Sequence, residues 1–337
     1  MTAISNAWVN ALLADATYVD VLDEPLNSSD NIRRLGERMT PELATYIAAN
    51  FEVASAKNTP DWPALGSGFD ATVWRGRAGT EFAGQVFVST RGTEPPGIDI
   101  WGADVDLAVN VAARSQIIDM VNWWMRETAP AGVAVAQIKW DPLRTKPGTI
   151  SEIEPGLVLA DPVAGTGQLV GTTSVQVNGH SLGGHLASAF ARIFGGGDTP
   201  AGGSVRVESV ATFNSAGFNG DNAEFFFAQI QSLLGTGLTS FDAVEARQTN
   251  FFAENGIEVT TNTWWFEQMG TRVALEQEET TGSGNHSMYR LTAQEWRDAH
   301  ASDHPPLYAL PCMGSNHVSV LECMADTTND RSYQCAA

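Results

Sequence analysis

The sequence predicts an α/β fold, a mostly parallel central sheet with helices on both faces and an inserted region. Three observations predict it. Short apolar runs alternate with helical stripes through the second half of the chain, the pattern of strand–helix–strand units. A strand-like run at 174–177 leads into a glycine-rich turn and then into a helical stripe. Between them and the first strands, residues 127–172 are rich in proline and glycine and lose periodicity, and the sheet pattern resumes after them.

Taken in order, Thr40-Pro41-Glu42-Leu43 has the features of a helix start: threonine caps, proline fits the first helical position, and Leu43, Ile47 and Ala48 continue as a stripe. Residues 71–75 and 85–89 are short apolar stretches with Gly79 and Gly84 near the turn between them, which predicts two strands in a hairpin. Residues 98–125 are rich in Val, Ile, Leu, Ala and Trp, and the spacing of Ile117, Ile118, Val121, Trp124 and Met125 is helical. After the strand at 174–177, Leu186, Ala189, Phe190 and Ile193 form a stripe ended by Gly195. Further strands are expected at 205–213, 248–253 and 273–275, with a helix at 224–234. The chain, 1–337, is expected to be one domain, with 98–172 a candidate lid or insertion and 300–337 a C-terminal extension.

Composition bounds the function. Nineteen basic residues against 39 acidic ones give a net charge of −20, a surface that repels nucleic acid and anionic membranes. No nucleic-acid partner is expected. Cysteine occurs only at Cys312, Cys323 and Cys335, without Cys-x-x-Cys or zinc-like spacing, which argues against thiol or zinc chemistry. No run approaches the roughly eighteen apolar residues of a transmembrane helix. The first residues carry neither a basic leader nor a signal-peptide apolar core, so the expectation is a secreted protein exported by another route.

The chemistry concentrates in Gly179-His180-Ser181-Leu182-Gly183, followed by Gly184. A nucleophilic serine needs a sharp turn between a strand and a helix to lift its hydroxyl above the sheet, and the glycines leave room for the close approach this requires. The motif stands in that context here, which makes Ser181 the candidate nucleophile of an α/β-hydrolase fold. Serine needs a base, and the order in this fold is serine, acid, histidine, so the base lies downstream. His185 is too close; of His286, His300, His304 and His317, His286 is preferred because it sits in the loop sequence Gly284-Asn285-His286-Ser287. The acid should follow a strand between them. Glu254 and Glu258, after the strand at 248–253, are the two candidates, with Asp221 a poorer third. Two backbone donors must hold the oxyanion. Leu182, next after the nucleophile, offers one, and Thr93, in the loop Thr90-Arg91-Gly92-Thr93-Glu94, offers the other.

Ser89-Thr90-Arg91-Gly92-Thr93 together with Gly179-His180-Ser181-Leu182-Gly183-Gly184 resembles the class 3, fungal-type lipases, and more closely the secreted bacterial lipases that carry calcium-binding glycine-aspartate repeats. The resemblance spans about residues 70–295. It implies Thr93 as an oxyanion donor, Ser181 as nucleophile and His286 as the late histidine. Two departures stand out. The bacterial relatives have an Asn-Asp-Pro-Val acid motif where this chain reads Asn255-Gly256-Ile257-Glu258, which leaves the acid open between the two glutamates, and the glycine-aspartate repeats are absent from this sequence.

The substrate expected from these features is a carboxylic ester, most simply a lipid ester, reached by an apolar cleft and transient contact with a lipid interface. Trp101, Trp123, Trp124, Trp264 and Trp265 are candidates for an acyl pocket or for ordinary core packing. No cofactor is expected. Asp99, Asp104 and Asp106 supply oxygen ligands that calcium favours, but their spacing does not define a site. Two alternatives remain: hydrolysis of a polyester or phospholipid acyl group, and a hydrolase-like domain that binds without catalysis.

Overall fold

The computed structural model describes residues 3–21, 25–58, 67–92, 105–196, 203–218, 220–235, 238–253 and 268–275. The elements in chain order are α1 (Ala3–Ala16), α2 (Ser29–Leu35), α3 (Pro41–Asn50), β1 (Phe51–Lys57), β2 (Ala71–Gly76), β3 (Val86–Thr90), α4 (Val105–Thr128), β4 (Ala134–Asp141), β5 (Gly156–Ala164), β6 (Ser174–His180), α5 (Leu182–Phe194), β7 (Arg206–Phe213), α6 (Gly220–Leu234), α7 (Phe241–Glu245), β8 (Gln248–Ala253) and β9 (Thr271–Leu275). Thr40 caps α3 through its side chain, which accepts from the Leu43 N–H, and Pro41 occupies the first turn, as the sequence predicts.

Seven strands form one sheet in the order β1-β2-β3-β6-β7-β8-β9. The first three are antiparallel, so residues 71–76 and 86–90 do pair as a hairpin. From β3 onward every pairing is parallel, which aligns the C-terminal ends of β3, β6, β7, β8 and β9 along one edge. A parallel sheet is stable only when both faces are covered, and the strand residues divide accordingly. Val73, Val86, Val88, Val175 and Val177 point to a core shared with Met120, Val121 and Trp124 of α4 and Leu186, Phe190 and Phe194 of α5. Trp74 and Phe87 point the other way, into a second core with Trp8, Leu12 and Leu13 of α1, Leu35 of α2 and Leu43 and Ile47 of α3. This is an α/β-hydrolase fold, a mostly parallel central sheet with helices on both faces.

α1 is held to the sheet by polar as well as apolar contacts. Asn178 donates to the Asn10 side-chain oxygen Oδ1 at 2.9 Å, Asn10 donates to Gln176 Oε1 at 3.4 Å, and Gln176 donates to Gln85 Oε1 at 2.9 Å. Asn10, Gln176 and Asn178 are all buried. Buried amides are costly when unpaired, so this chain of bonds specifies one seating of α1 over β6.

The stretch 98–172 contains α4 and a ribbon of β4 and β5, which pair antiparallel outside the main sheet; residues 98–104 lie outside the described residues. Trp123 and Trp124 are core residues of α4 rather than pocket-lining ones. Trp124 packs edge-on against Phe190 at 4.8 Å, and Trp123 lies 5.7 Å from Phe69. The Trp124 indole N–H donates to the Gly203 carbonyl, just before β7, which puts this end of α4 at the sheet edge opposite the strand C-termini. β4 then climbs back along α4. Ile138 exchanges two backbone bonds with the Asn122 amide, both at 2.8 Å, and Trp140 lies under the Arg114 guanidinium at 4.2 Å. Arg114 is eight residues before Asn122, about 12 Å along the helix. The ribbon therefore points toward the edge where the parallel strands end.

Candidate active site

Ser181 stands at that edge, between the last residue of β6 and the first of α5, with φ 57° and ψ −126°. Among the described residues, only Ser181 and Asn214 are non-glycine residues with positive φ. Such a conformation is strained for a residue with a Cβ and persists only where its surroundings over-determine it. Here they do. The Ser181 N–H donates to the Phe213 carbonyl at the end of β7, and the Ser181 carbonyl accepts from Gly184 at 3.0 Å and His185 at 3.3 Å as α5 begins.

The glycines of the motif are explained by close approach. A Cβ at Gly179 would strike the Gly183 carbonyl and lie 2.7 Å from the Thr90 hydroxyl. One at Gly183 would strike the Thr90 carbonyl and lie 2.8 Å from the Gly92 nitrogen. One at Gly184 would lie 2.7 Å from the Ser215 Cβ. Only hydrogen fits where the turn, β3 and the end of β7 converge. Thr90 adds a bond across this junction, its hydroxyl donating to the Gly183 carbonyl at 2.6 Å.

The loop leaving β3 comes directly against Ser181. A Cβ at Gly92 would be 2.8 Å from the His180 carbonyl and 3.3 Å from the Ser181 Cβ. The Gly92 N–H is committed elsewhere: it donates to the Tyr18 hydroxyl at 3.2 Å. That same hydroxyl lies 2.9 Å from His180 Nδ1. A phenolic hydroxyl both donates and accepts, so one oxygen bonds the two groups at once. Tyr18 therefore ties the β3 loop to the turn that carries Ser181. Its ring is clamped by Arg38 at 4.3 Å and Arg91 at 5.5 Å. Arg38 is in turn bound to Asp15 at 2.8 Å, and Arg91 sits 3.5 Å from both Asp20 and Asp70.

Leu182 opens α5 immediately after Ser181. The first N–H groups of a helix have no acceptor one turn earlier, which leaves the Leu182 N–H without an intrahelical acceptor beside Ser181. His185, the histidine set aside in the sequence, is buried one turn further on. Its Nδ1 lies 3.1 Å from the Gly217 carbonyl and its ring stacks on Phe218 at 4.0 Å. Burial pushes its pKa down to about 4, so it stays neutral and structural.

Of the six residues assigned from sequence, Ser181 and Leu182, neighbours in the chain, lie among the described residues, at the strand ends. Thr93, Glu254, Glu258 and His286 lie outside the described residues, as do Trp101, Trp264 and Trp265. Asp99 and Asp104 lie outside them too, and among the described residues no cluster of three or more metal-ligating side chains occurs. Sequence reasoning missed Tyr18, the bond partners of which are 74 and 162 positions away. It also gave no role to His180, the variable position of the motif.

Fold and site together define the class: an α/β-hydrolase fold with a serine in a strained turn between a parallel strand and a helix. No family model matches the chain, and no curated protein matches it. Among solved structures, it aligns with the M37 lipase at 14% identity and a TM-score of 0.34, over 76% of this chain and 68% of that one. It aligns with the Yarrowia lipolytica LIP2 lipase at 12% identity and a TM-score of 0.38, over 80% and 79%. The extracellular lipase LipA of Serratia marcescens aligns at 14% and 0.33, over 74% of this chain and 39% of that one. At such scores the likeness carries no weight for activity, and the fold assignment rests on the chain's own sheet order and strand directions.

Proposed function

We propose that the chain is a serine carboxylic-ester hydrolase of lipase or esterase type. The observation that carries this is the backbone of Ser181, held at φ 57° between a parallel strand and a buried helix with the β3 loop against it. A serine kept in a strained conformation by three converging elements has no structural purpose that glycine would not serve better. In the proposed reaction, Ser181 Oγ attacks the ester carbonyl and His286 takes its proton. The Leu182 and Thr93 N–H groups hold the oxyanion, His286 protonates the departing alcohol, and water then releases the acyl group. Glu254 or Glu258 orients the imidazole.

Two features support the parts outside the described residues. Gly92 gives its N–H to Tyr18, which leaves the following residue, Thr93, as the next donor on that loop. β8 and β9 run parallel to β6 and β7 and end at Ala253 and Leu275, so the chain leaves both strands on the nucleophile's side of the sheet. Glu254 follows the first of these ends directly, and His286 follows the second. The chemistry proposed uses side chains and backbone donors alone. An uncharged lipid ester suits the acidic surface better than an anionic lipid, and secretion is part of the same proposal.

Hydrolysis of p-nitrophenyl esters from short to long acyl chains tests the reading directly. The protein is expected to turn over at least the short esters, and Ser181→Ala to lower kcat by roughly four orders of magnitude or more. A parent protein that is inactive on every ester, and that no fluorophosphonate probe labels at Ser181, would leave a non-catalytic binding domain.

A further inference from the structure

The end of the β4–β5 ribbon is an exposed apolar surface with an ordered construction. Beyond β4 and β5 the two arms stay paired. Glu154 N–H donates to the Arg144 carbonyl at 2.9 Å, Lys146 N–H donates to the Glu152 carbonyl at 2.8 Å, and Thr145 faces Ile153 across the pair. Side chains alternate between the faces of such a ribbon, and directly opposed residues share a face. Thr145 and Ile153 therefore lie on one face, and Arg144, Lys146, Glu152 and Glu154 on the other; Leu143 stands in the turn that leads from β4 into this end. Lys146 and Glu152 form an ion pair at 3.2 Å on that second face. Arg144 is only half-exposed, its guanidinium folded over Gly156 at the base of β5, while Lys146 and Glu152 are exposed.

The apolar side chains of this end are bare. Leu143 is 71% exposed, Ile153 60%, and Ile150, in the connecting turn, 99%. Isolated apolar side chains on a surface need no explanation, but three within eleven residues at the end of a projecting ribbon are an apolar tip. The ribbon climbs along α4 from the far edge of the sheet, so this tip rises on the side where Ser181 stands.

We propose that this tip is the element by which the protein seats itself on an uncharged lipid surface, with Leu143, Ile150 and Ile153 entering the apolar layer. The inference rests on the ester-hydrolase reading for its purpose, though not for its geometry. Charge selects the occupant. The protein as a whole carries −20, which opposes both an anionic membrane and a second copy of the chain. Residues 141–156 carry two basic groups (Arg144, Lys146) against three acidic ones (Asp141, Glu152, Glu154), a net −1, so the tip itself is close to neutral. The tip is also convex. A deformable lipid layer accepts three protruding side chains without needing a matching groove, and a β-ribbon closed by its own hydrogen bonds can enter its outer region without exposing many unpaired backbone groups.

The test uses flotation of the full chain with triolein droplets coated in phosphatidylcholine. The Ser181→Ala protein is used so that the surface is not consumed. It is expected to float with the droplets, and the same protein with Leu143→Ser, Ile150→Ser and Ile153→Ser to partition at least tenfold less, with an unchanged melting temperature. In the Ser181 background the triple substitution is expected to leave kcat on a soluble short ester unaltered while slowing hydrolysis of droplets. Equal flotation of the two proteins, or no flotation of the parent, overturns the proposal. A triple variant that changes the oligomeric state on gel filtration while flotation is unaffected reassigns the tip to contact between copies. Flotation lost with the triple variant in a protein that hydrolyses no ester would leave the docking surface standing and the hydrolase reading refuted.

Discussion

Replacing Tyr18 by Phe removes one oxygen and nothing else. The ring stays between Arg38 and Arg91, so packing is retained. Two bonds are lost, one from the Gly92 N–H at 3.2 Å and one to His180 Nδ1 at 2.9 Å. Each is worth a net 0.5–1.5 kcal/mol, so stability should fall by about 1–3 kcal/mol. The effect on the reaction is separate. Gly92 presses on Ser181 and precedes Thr93, so freeing its N–H lets the proposed oxyanion donor drift. Removing such a donor outright costs about 100- to 1,000-fold in kcat, and a displacement costs less; roughly 10- to 100-fold is expected here. KM for a short soluble ester should change by less than about threefold, because the group acts on the developing charge rather than on the ground state. Kinetics on p-nitrophenyl butyrate, alongside urea unfolding, separate the two. A variant that loses the expected stability but keeps its kcat would show that Tyr18 braces the fold only, and the positioning argument would fail.

Other substitutions report on neighbouring features. Gly183→Ala places a methyl group against the Thr90 carbonyl and the Gly92 nitrogen; about 1–3 kcal/mol of stability and most of the esterase activity should be lost together, and a fully active, equally stable variant would contradict the close approach. His185 gives a pH dependence. Its folded pKa, about 4, lies below the ordinary 6.5, so the unfolded chain takes up a proton first as pH falls. Its contribution, roughly 3 kcal/mol, is fully present above pH 6.5 and is lost between there and pH 4. In His185→Gln, chemical denaturation across that window should lose this component of the slope; an unchanged slope would show that His185 does not titrate as its burial requires.

Local signals in this chain were strong wherever one residue type must meet one backbone geometry. Thr40 and Pro41 announce the start of α3 because a cap and a first helical turn are decided within four residues. Ser181 was legible because a strand, three glycines and a helical stripe surround it in sequence as they do in space. The strands 71–76 and 86–90 stood out as short apolar runs, since burial on both faces removes most polar residues. The ribbon was not legible. Residues 127–172 alternate poorly because the pairing of β4 with β5 shifts register between Val135 and Gln137, which breaks the period of two. Trp123 and Trp124 read equally well as core or pocket, and their contacts with Phe69 and Phe190 place them in the core.

The strained turn at Ser181 and the class of sheet follow from residues adjacent in the chain, because such a turn and a parallel strand each impose their demands locally. What holds that turn does not. Tyr18 meets Gly92 and His180, and Asn10 meets Asn178, only because α1 packs across β3 and β6. Partners so far apart leave no spacing to read. Their pairing is decided by the burial of one helix on one face of the sheet, which only the folded chain reveals.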